Sequence, residues 1–415
     1  MNQAEHLLRT VADRLAAVPA GPATRPAEPA EPAGPGPGLG SGRSGAALAL
    51  AVLAGDDPAL RRAAHGHLAA AVRSPGAMRG GGLYSGAAAI AFAARTMVRA
   101  PGEYRTLLDA LAPRLHRSAA SRTAALRADL AAGNGLHAHT FDAVSGAAGL
   151  GRLLLALEPD GPALADLLAA LVEFAEPGGG PLPRWWTAGG PGLPGADPEQ
   201  PRGHLNLGLA HGIPGPLALL ALARLHGVRV PGQDEAIESL AGWFAARRVP
   251  AGSAAGGFWP MTVRVEDEEA GRLPADGPRR AAWCYGTPGV ARALFLAGAA
   301  RGRADWRTAA VSALDETLCD PSTWNITGPG LCHGTGGLLL ITHRMAADSG
   351  SAALAAHLPA LAATVAADLD TALAADTPPA FLEGTAGAAL ALHTHTHAGT
   401  PPEAATPWDA CLLLG

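Results

Sequence analysis

Three residues of this chain carry side chains that zinc prefers. Cys284 lies in the stretch Arg280–Gly286, and Cys332 and His333 directly precede Gly334. Two thiolates and an imidazole form a ligand set that suits Zn²⁺, and three protein ligands leave the fourth tetrahedral position open, as in catalytic zinc sites. The sequence therefore predicts one Zn²⁺ per chain. Because 332 − 284 = 48 residues separate the two cysteines, the fold must bring them together.

A glycine-rich repeat offers a way to do so. In seven copies a Gly-x-x-Gly pattern runs into an apolar stretch, although the second copy has Ala89 in place of its second glycine. The apolar stretches predict seven inner helices, at 46–53, 87–93, 150–157, 217–225, 290–297, 338–341 and 388–393. A more polar amphipathic stretch precedes each copy and predicts seven outer helices, at 3–18, 58–73, 104–130, 162–175, 234–247, 304–319 and 352–373.

Seven helical hairpins predict an all-α fold, an α/α toroid in which the hairpins close into a ring. An open solenoid is the alternative, but it would need polar capping repeats, and the last inner helix is as apolar as the first. We expect one domain over residues 1–415, with a Pro/Gly-rich flexible segment at 19–40 and a long loop at 176–203. Every inner helix would then point its N-terminus, with its positive dipole, at one end of the ring.

The turns that precede the inner helices, here called the rim turns, collect the reactive residues of the chain. Counted back from the first glycine of each copy, Cys284 and Cys332 lie two residues before it, Tyr285, His333, His211 and Glu383 one before, Asp142 four before and Arg280 six before. A repeat places equivalent positions on one ring, so these side chains should converge around one axis.

Three motifs give the chain a family resemblance over residues 40–393. Arg-x-x-Trp-Cys-Tyr-Gly, Cys-His-Gly and the upstream His-Gly-x-x-Gly resemble those of the lanthionine synthetase C-like (LanC) family. The resemblance implies a stand-alone, zinc-dependent lanthipeptide cyclase. Such an enzyme adds cysteine thiolates of a dehydrated ribosomal precursor peptide to dehydroalanine or dehydrobutyrine, forming (methyl)lanthionine thioether rings. A separate dehydratase is a further partner that the resemblance suggests.

The resemblance also implies roles for individual residues. His211 matches the acid/base that protonates the enolate, and Asp142 the carboxylate that orients it. Arg280 and Tyr285 match residues near the enolate or the zinc-bound sulfur. Cys284, Cys332 and His333 match the metal ligands that their chemistry already predicts.

Charge and composition limit the possible partners and the cellular compartment of the protein. The net charge is −5, and no block of basic residues stands out, which argues against a nucleic-acid-binding surface. The N-terminus lacks the apolar core of a signal peptide, and the apolar runs reach about half a membrane span. Four cysteines are too few for a disulfide framework in 415 residues. We therefore expect a soluble, cytoplasmic protein without a membrane span.

Two other functions are compatible with parts of the sequence. A non-cyclising relative could bind glutathione or another small thiol at the same zinc, and the zinc motif alone does not separate the two activities. The presence of His211, Asp142 and Arg280 favours the cyclase. An α/α-toroid glycosidase would use two carboxylates, such as Asp142 and Glu383, but the chain has few aromatic residues for a sugar cleft.

The remaining two cysteines match no rim position. We expect Cys319 to be a small buried hydrophobe and Cys411 to be a residue of the C-terminal tail. The run from His393 to His397, in which histidine and threonine alternate, is expected to be a solvated tail as well.

Overall fold

The computed structural model describes residues 3–18, 36–178, 180, 182–188, 200–250, 257–274, 279–398 and 406–415. Most of the predicted flexible segment 19–40 lies outside this part of the chain, and so do positions 179, 181 and 189–199 of the predicted loop 176–203.

Helices make up most of the described residues. In chain order they are α1 Gln3–Ala17, α2 Arg43–Leu53, α3 Pro58–Arg73, α4 Gly86–Met97, α5 Arg105–Ala132, α6 Ala138–Phe141, α7 Ala147–Leu157, α8 Pro162–Ala175, α9 Pro214–Leu225, α10 Gln233–Ala245, α11 Val265–Glu269, α12 Thr287–Arg301, α13 Ala304–Leu318, α14 Thr335–Ser349, α15 Ala352–Ala374 and α16 Thr385–Thr396. Two short strands, β1 His204–Asn206 and β2 Thr262–Arg264, pair antiparallel with His204 opposite Arg264. Short 3₁₀ helices span Pro321–Thr323 and Trp408–Leu412.

All fourteen helices predicted from the repeat are present. The inner helices α2, α7, α9, α12, α14 and α16 each start three residues before the predicted position, and α4 one residue before, because residues of the Gly-x-x-Gly pattern already form the first helical turn. The inner helix predicted at 338–341 is α14, which continues to Ser349. The helix continues past the apolar run through His343 and Arg344, and Arg344 pairs with the buried carboxylate of Asp409.

The chain divides into two compact units. The first comprises Met1–Leu115, Thr327–Leu340 and Leu358–Trp408. Within it, α2 packs against α1, α3, α4 and α16, and α1 also packs against α16. The first predicted outer helix therefore contacts the last inner helix, as a closed repeat requires. Buried Val11, Leu50 and Leu390 belong to the core of this unit.

The second unit comprises His116–Ile326, Ile341–His357 and Asp409–Gly415. Here α12 packs against α9, α10 and α13, and α7 packs against α8 and α9. Inner helices α7, α9 and α12 are apolar on nearly all sides and carry the buried side chains Leu150, Leu219 and Leu294. A helix that is apolar all round belongs in a core, with amphipathic helices outside it.

Neighbouring rim turns within each unit are joined by main-chain hydrogen bonds. In the first unit these run from Leu39 N to Tyr84 O (3.1 Å), Leu382 N to Gly40 O (2.9 Å) and Cys332 N to Leu382 O (2.9 Å); in the second they run from Ala143 N to Ala210 O (3.1 Å) and Ala210 N to Cys284 O (3.4 Å). The backbone therefore fixes the position of each rim turn, whatever side chain the turn carries.

The C-terminal segment Asp409–Gly415 lies inside the second unit. From Asp409 to Leu414 its residues are fully buried. Cys411 does belong to the C-terminal segment, as expected, but that segment is part of the core. The guanidinium of Arg152 donates to the carbonyl of Gly415 at 2.8 and 3.0 Å. The Nε of Arg292 donates to the carbonyl of Leu414 at 2.7 Å. Burial of three consecutive leucines supplies the apolar free energy, and the two arginines satisfy the carbonyls that this burial removes from water.

Two other local expectations are wrong. Cys319 is exposed, not buried, because it directly follows the outer helix α13. The histidine run is not a tail, because α16 continues through Thr396 and the rings of His393 and His397 stack at 4.0 Å. Burial lowers the pKa of His393 to about 4.

Among the described residues one helix, α15, is long and apolar enough to cross a membrane by length and composition alone. An 18-residue window of this 23-residue helix is that apolar, and it is longer than the half-span runs that the sequence suggested.

The rim turn at Gly286 generates the first prediction. Gly286 has φ +104°, and a Cβ there would lie 1.7 Å from the carbonyl oxygen of Arg280. Gly302 also has a positive φ, +68°, but open space around it. Gly302→Ala should cost roughly 1 kcal/mol in the free energy of unfolding, the ordinary penalty for a left-handed alanine. Gly286→Ala should cost at least about 3 kcal/mol. Urea unfolding measures both, and equal small losses would contradict the geometry of this turn.

Candidate active site

The structure brings together the three predicted zinc ligands. One ligand atom from each of Cys284, Cys332 and His333 lies within 4.8 Å of the other two. Cys284 precedes α12 by three residues, and His333 precedes α14 by two. Two rim turns that are 48 residues apart (332 − 284) in the chain therefore supply a single cluster.

The cluster fits a zinc ion. Ligand bonds of about 2.0–2.3 Å in a tetrahedron place the ligand atoms about 3.3–3.8 Å apart, so small side-chain rotations are enough to form the site. Two thiols and an imidazole are ligands that zinc accepts. Within the described residues the cluster contains no fourth histidine, cysteine or carboxylate. Such a donor set leaves one coordination position for a substrate.

Main-chain contacts hold Cys332 and His333. The N–H groups of Leu331 and Cys332 both donate to the carbonyl of Leu382, at 2.8 and 2.9 Å. The carbonyl of His333 accepts from the N–H of Thr327 at 3.0 Å. Main-chain hydrogen bonds thus hold the turn at both ligands, which restricts the positions that their side chains can reach.

Cys284 is held from two directions. Next to it, the buried indole of Trp283 donates through Nε1 to the carbonyl of Leu412 in the C-terminal segment, at 2.9 Å. On the other side, a Cβ at Gly208 would lie 2.6 Å from the carbonyl oxygen of Cys284 and 2.6 Å from the ring of Tyr285. Only glycine permits this approach. Trp283 therefore packs in the core and anchors the residue that follows it.

Tyr285 is oriented by a residue that sequence analysis missed. The side-chain amide of Asn206, buried on β1, donates to the hydroxyl oxygen of Tyr285 at 3.1 Å, and its Oδ1 accepts from the N–H of Gly208 at 2.9 Å. The repeat register contained a signal, because Asn206 lies six residues before Gly212, just as Arg280 lies six before Gly286.

His211 and Asp142 form a close pair. The Nδ1 of His211 lies 2.7 Å from Oδ2 of Asp142, whose other oxygen accepts from the N–H groups of Ser145 and Gly146 at 2.6 and 2.7 Å. The carboxylate is 2% exposed and the imidazole 35% exposed. Asp142 is therefore fixed by the backbone, and it fixes one edge of the ring.

Electrostatics favour the protonated imidazole. The hydrogen bond that His211 donates to Asp142 raises the pKa of His211, burial opposes that rise, and the charges of Asp142 and Cys284 add to it. A histidine whose pKa is raised carries its proton closer to neutral pH and can act as a general acid there.

Arg280 belongs to the second unit. It is half-buried and lines a small pocket together with Phe258, Thr287 and Glu316. Its carbonyl packs against Gly286 in the turn that follows Cys284. The turn thus carries Arg280, Cys284 and Tyr285, as the motif predicts, while the role of the guanidinium stays a prediction.

Comparison with known families agrees with this description. The family model for lanthionine synthetase C-like proteins matches residues 36–413, almost the whole chain. The chain belongs to this family. No curated protein sequence gives a match.

Comparison with solved structures confirms the fold class. The structure of nisin cyclase superposes with a TM-score of 0.77 over 91% of this chain and 92% of that one, at 21% sequence identity. The fold is the all-α, α/α toroid that the seven helical hairpins predict. At this identity the likeness concerns the fold, and the activity must be argued from the residues.

The His211–Asp142 pair generates the second prediction. Because the pKa of His211 is raised in the folded protein, the pair should stabilise the fold fully below about pH 6.5, the unfolded pKa. This stabilisation is lost as the pH rises through the folded pKa. Asp142→Asn should therefore reduce the free energy of unfolding more at pH 6 than at pH 9. Urea unfolding at the two pH values measures the difference, and a loss independent of pH would contradict the pairing.

Proposed function

We propose that the protein is a zinc-dependent lanthipeptide cyclase. The observation that carries this proposal is the convergence of Cys284, Cys332 and His333 within 4.8 Å, with no fourth protein ligand among the described residues. The His211–Asp142 pair supports the proposal, because Cys284 is close enough to His211 for its charge to raise the pKa of that histidine. Membership of the lanthionine synthetase C-like family and the structural likeness to nisin cyclase support the same class of reaction.

The reaction is the addition of a thiol across a carbon–carbon double bond. The peptide cysteine loses its proton, its sulfur bonds to the β-carbon of dehydroalanine or dehydrobutyrine, and the π electrons move onto the carbonyl as an enolate. A proton added at Cα completes the thioether, so the mass of the peptide does not change. Zinc held by Cys284, Cys332 and His333 supplies a Lewis acid that favours the thiolate form of the peptide cysteine.

His211 delivers the proton to Cα. Its Nδ1 faces Asp142, which leaves Nε2 to face the substrate. The carboxylate fixes the orientation of the ring and favours its protonated form. Because Asp142 is itself held by two backbone N–H groups, the donor starts in position and loses little entropy in the reaction.

Tyr285 and Arg280 offset the negative charge that develops. The hydroxyl oxygen of Tyr285 accepts from Asn206, so its own proton is directed elsewhere, toward the enolate oxygen or the reacting sulfur. Arg280 contributes a guanidinium, a positively charged group with several N–H donors. Placed in the turn of Cys284, this charge lowers the energy of an enolate formed nearby.

The partner that follows is a dehydrated ribosomal precursor peptide, and a separate dehydratase would supply it. Dehydroamino acids arise by loss of water from serine and threonine, a reaction chemically distinct from the addition of a thiol. Because ribosomal peptides are made and modified in the cytoplasm, we propose a cytoplasmic location.

Mass spectrometry tests the proposal directly. A dehydrated peptide with one cysteine and one dehydroalanine is incubated with the protein and then with a thiol-alkylating reagent. We expect the alkylated fraction to fall while the unlabelled mass stays constant, faster than in a control without protein. If the peptide thiol stays alkylatable while glutathione binds to the zinc-loaded protein, the protein is a non-cyclising thiol binder instead.

Loss of a proposed ligand should remove the metal. In protein purified without added zinc, Cys332→Ala should contain little zinc, because two remaining ligands bind it much more weakly. Cys411→Ala, a cysteine outside the rim turns and outside every metal-ligating group of the described residues, is the matched control and should keep one zinc per chain. Elemental analysis measures both, and full retention of zinc in Cys332→Ala would assign the metal to other residues.

Loss of the proposed proton donor should slow the reaction without removing the metal. His211→Asn should keep zinc and slow ring closure by on the order of a hundredfold, the usual scale for a general acid. His226→Asn replaces an exposed histidine whose ring bonds the carbonyl of Leu222 in the preceding helix and should leave the rate unchanged. Zinc loss in His211→Asn would make His211 a ligand, and an unchanged rate would assign the proton to another donor.

A further inference from the structure

A second group of metal-ligating side chains lies outside the rim turns. One ligand atom from each of Asp315, Cys319 and His357 lies within 4.8 Å of the other two. Asp315 belongs to α13, Cys319 follows the end of that helix, and His357 lies in the second turn of α15. None of these residues takes part in the proposed cyclisation.

The local backbone directs Asp315 and Cys319 to the same side. Cys319 keeps helical dihedral angles, φ −67° and ψ −19°, and its N–H donates to the carbonyl of Asp315 at 3.0 Å. The two residues therefore stand four apart on one helical face, where side chains are neighbours. From the other helix, Nε2 of His357 already lies 2.9 Å from Oδ1 of Asp315.

The charges around the group favour a cation. The adjacent carboxylates have their own partners, since Glu316 pairs with Arg248 and Asp320 accepts from Ser322. Asp315 has His357 as its side-chain partner, and no arginine pairs with it in the described part of the chain. A divalent cation bound by both side chains would offset the charge of the carboxylate.

We propose that Asp315, Cys319 and His357 bind a second zinc ion, with water in the fourth position. A thiolate together with an imidazole selects zinc over magnesium and calcium, which take oxygen ligands. The group is open to solvent, with Cys319 exposed and the side chains of His357 and Asp315 26% and 34% exposed. With one thiolate instead of two, the ion is held more weakly than in the rim turns and fills when free zinc is available.

The bound ion ties the end of α13 to the start of α15. Because it binds the folded chain, it stabilises the fold by an amount that grows with the logarithm of the free zinc concentration above Kd.

A matched pair elsewhere in the chain separates this site from ordinary surface chemistry. His116 lies 2.8 Å from Glu158, and both are at least as exposed as His357 and Asp315. Among the described residues, no cysteine joins His116 and Glu158 in a metal-ligating group. Zinc binding that depends only on a histidine and a carboxylate would therefore occur at both pairs.

Equilibrium dialysis of the full chain against excess Zn²⁺ tests the proposal. Cys319→Ala and His357→Gln should each bind one ion fewer than the wild type, and His116→Gln should bind the same number. Equal zinc content in wild type and Cys319→Ala overturns the proposal, as does an equal loss in His116→Gln. This readout does not depend on cyclisation, so it separates the second site from the proposed function.

Cobalt spectroscopy identifies the ligand. In Cys284→Ala/Cys332→Ala, Co²⁺ should give a near-ultraviolet charge-transfer band from one thiolate, which further replacement of Cys319 by alanine abolishes. A band that survives this replacement overturns the assignment. If the double variant does not fold, the dialysis of the single variants decides alone.

Discussion

Main-chain hydrogen bonds between rim turns are the constraint on which the site depends. The carbonyl of Leu382 accepts from both Leu331 and Cys332, and the carbonyl of Cys284 accepts from Ala210. A metal site tolerates only small errors in the positions of its ligands, and loops held by side chains alone rarely meet that demand. Here the backbone places the turns, so cysteine, histidine or tyrosine can occupy a position without altering it. Glycine at 208 permits the closest approach, beside Cys284 and Tyr285.

The C-terminal segment adds a second constraint on Cys284. Its leucines are buried, and Arg152 and Arg292, 3% and 1% exposed, donate to its carbonyls. Burying a guanidinium is costly unless its hydrogen bonds are made, so the segment and the two arginines stabilise each other. Through Leu412 the same segment holds Trp283, the residue before Cys284. Stability of the unit and placement of a metal ligand thus depend on the same few contacts.

Much of this arrangement could be predicted from the sequence, because the glycine pattern, the apolar helices and the reactive residues recur at equivalent positions of a repeat. The Gly-x-x-Gly repeat located the helices to within a few residues, and its register singled out Cys284, Cys332 and His211. Features that depend on contacts without a local signal were missed. Trp283 and Leu412 are 129 residues apart, and the three leucines at the end of the chain do not indicate which helices they pack against. Asn206 was overlooked although it shares the register of Arg280, because an asparagine side chain does not indicate a role until its hydrogen-bond partner is known. Cys319 was misplaced because a free cysteine is usually buried.

The central claim is that two rim turns create one zinc site with an open position. A crystal structure with diffraction data on both sides of the zinc absorption edge tests it most directly. The account predicts an anomalous peak within about 2.0–2.3 Å of Sγ of Cys284, Sγ of Cys332 and a ring nitrogen of His333, with solvent as the fourth ligand. Absence of a peak between these three residues, or a fourth protein side chain bound to the metal, would contradict it.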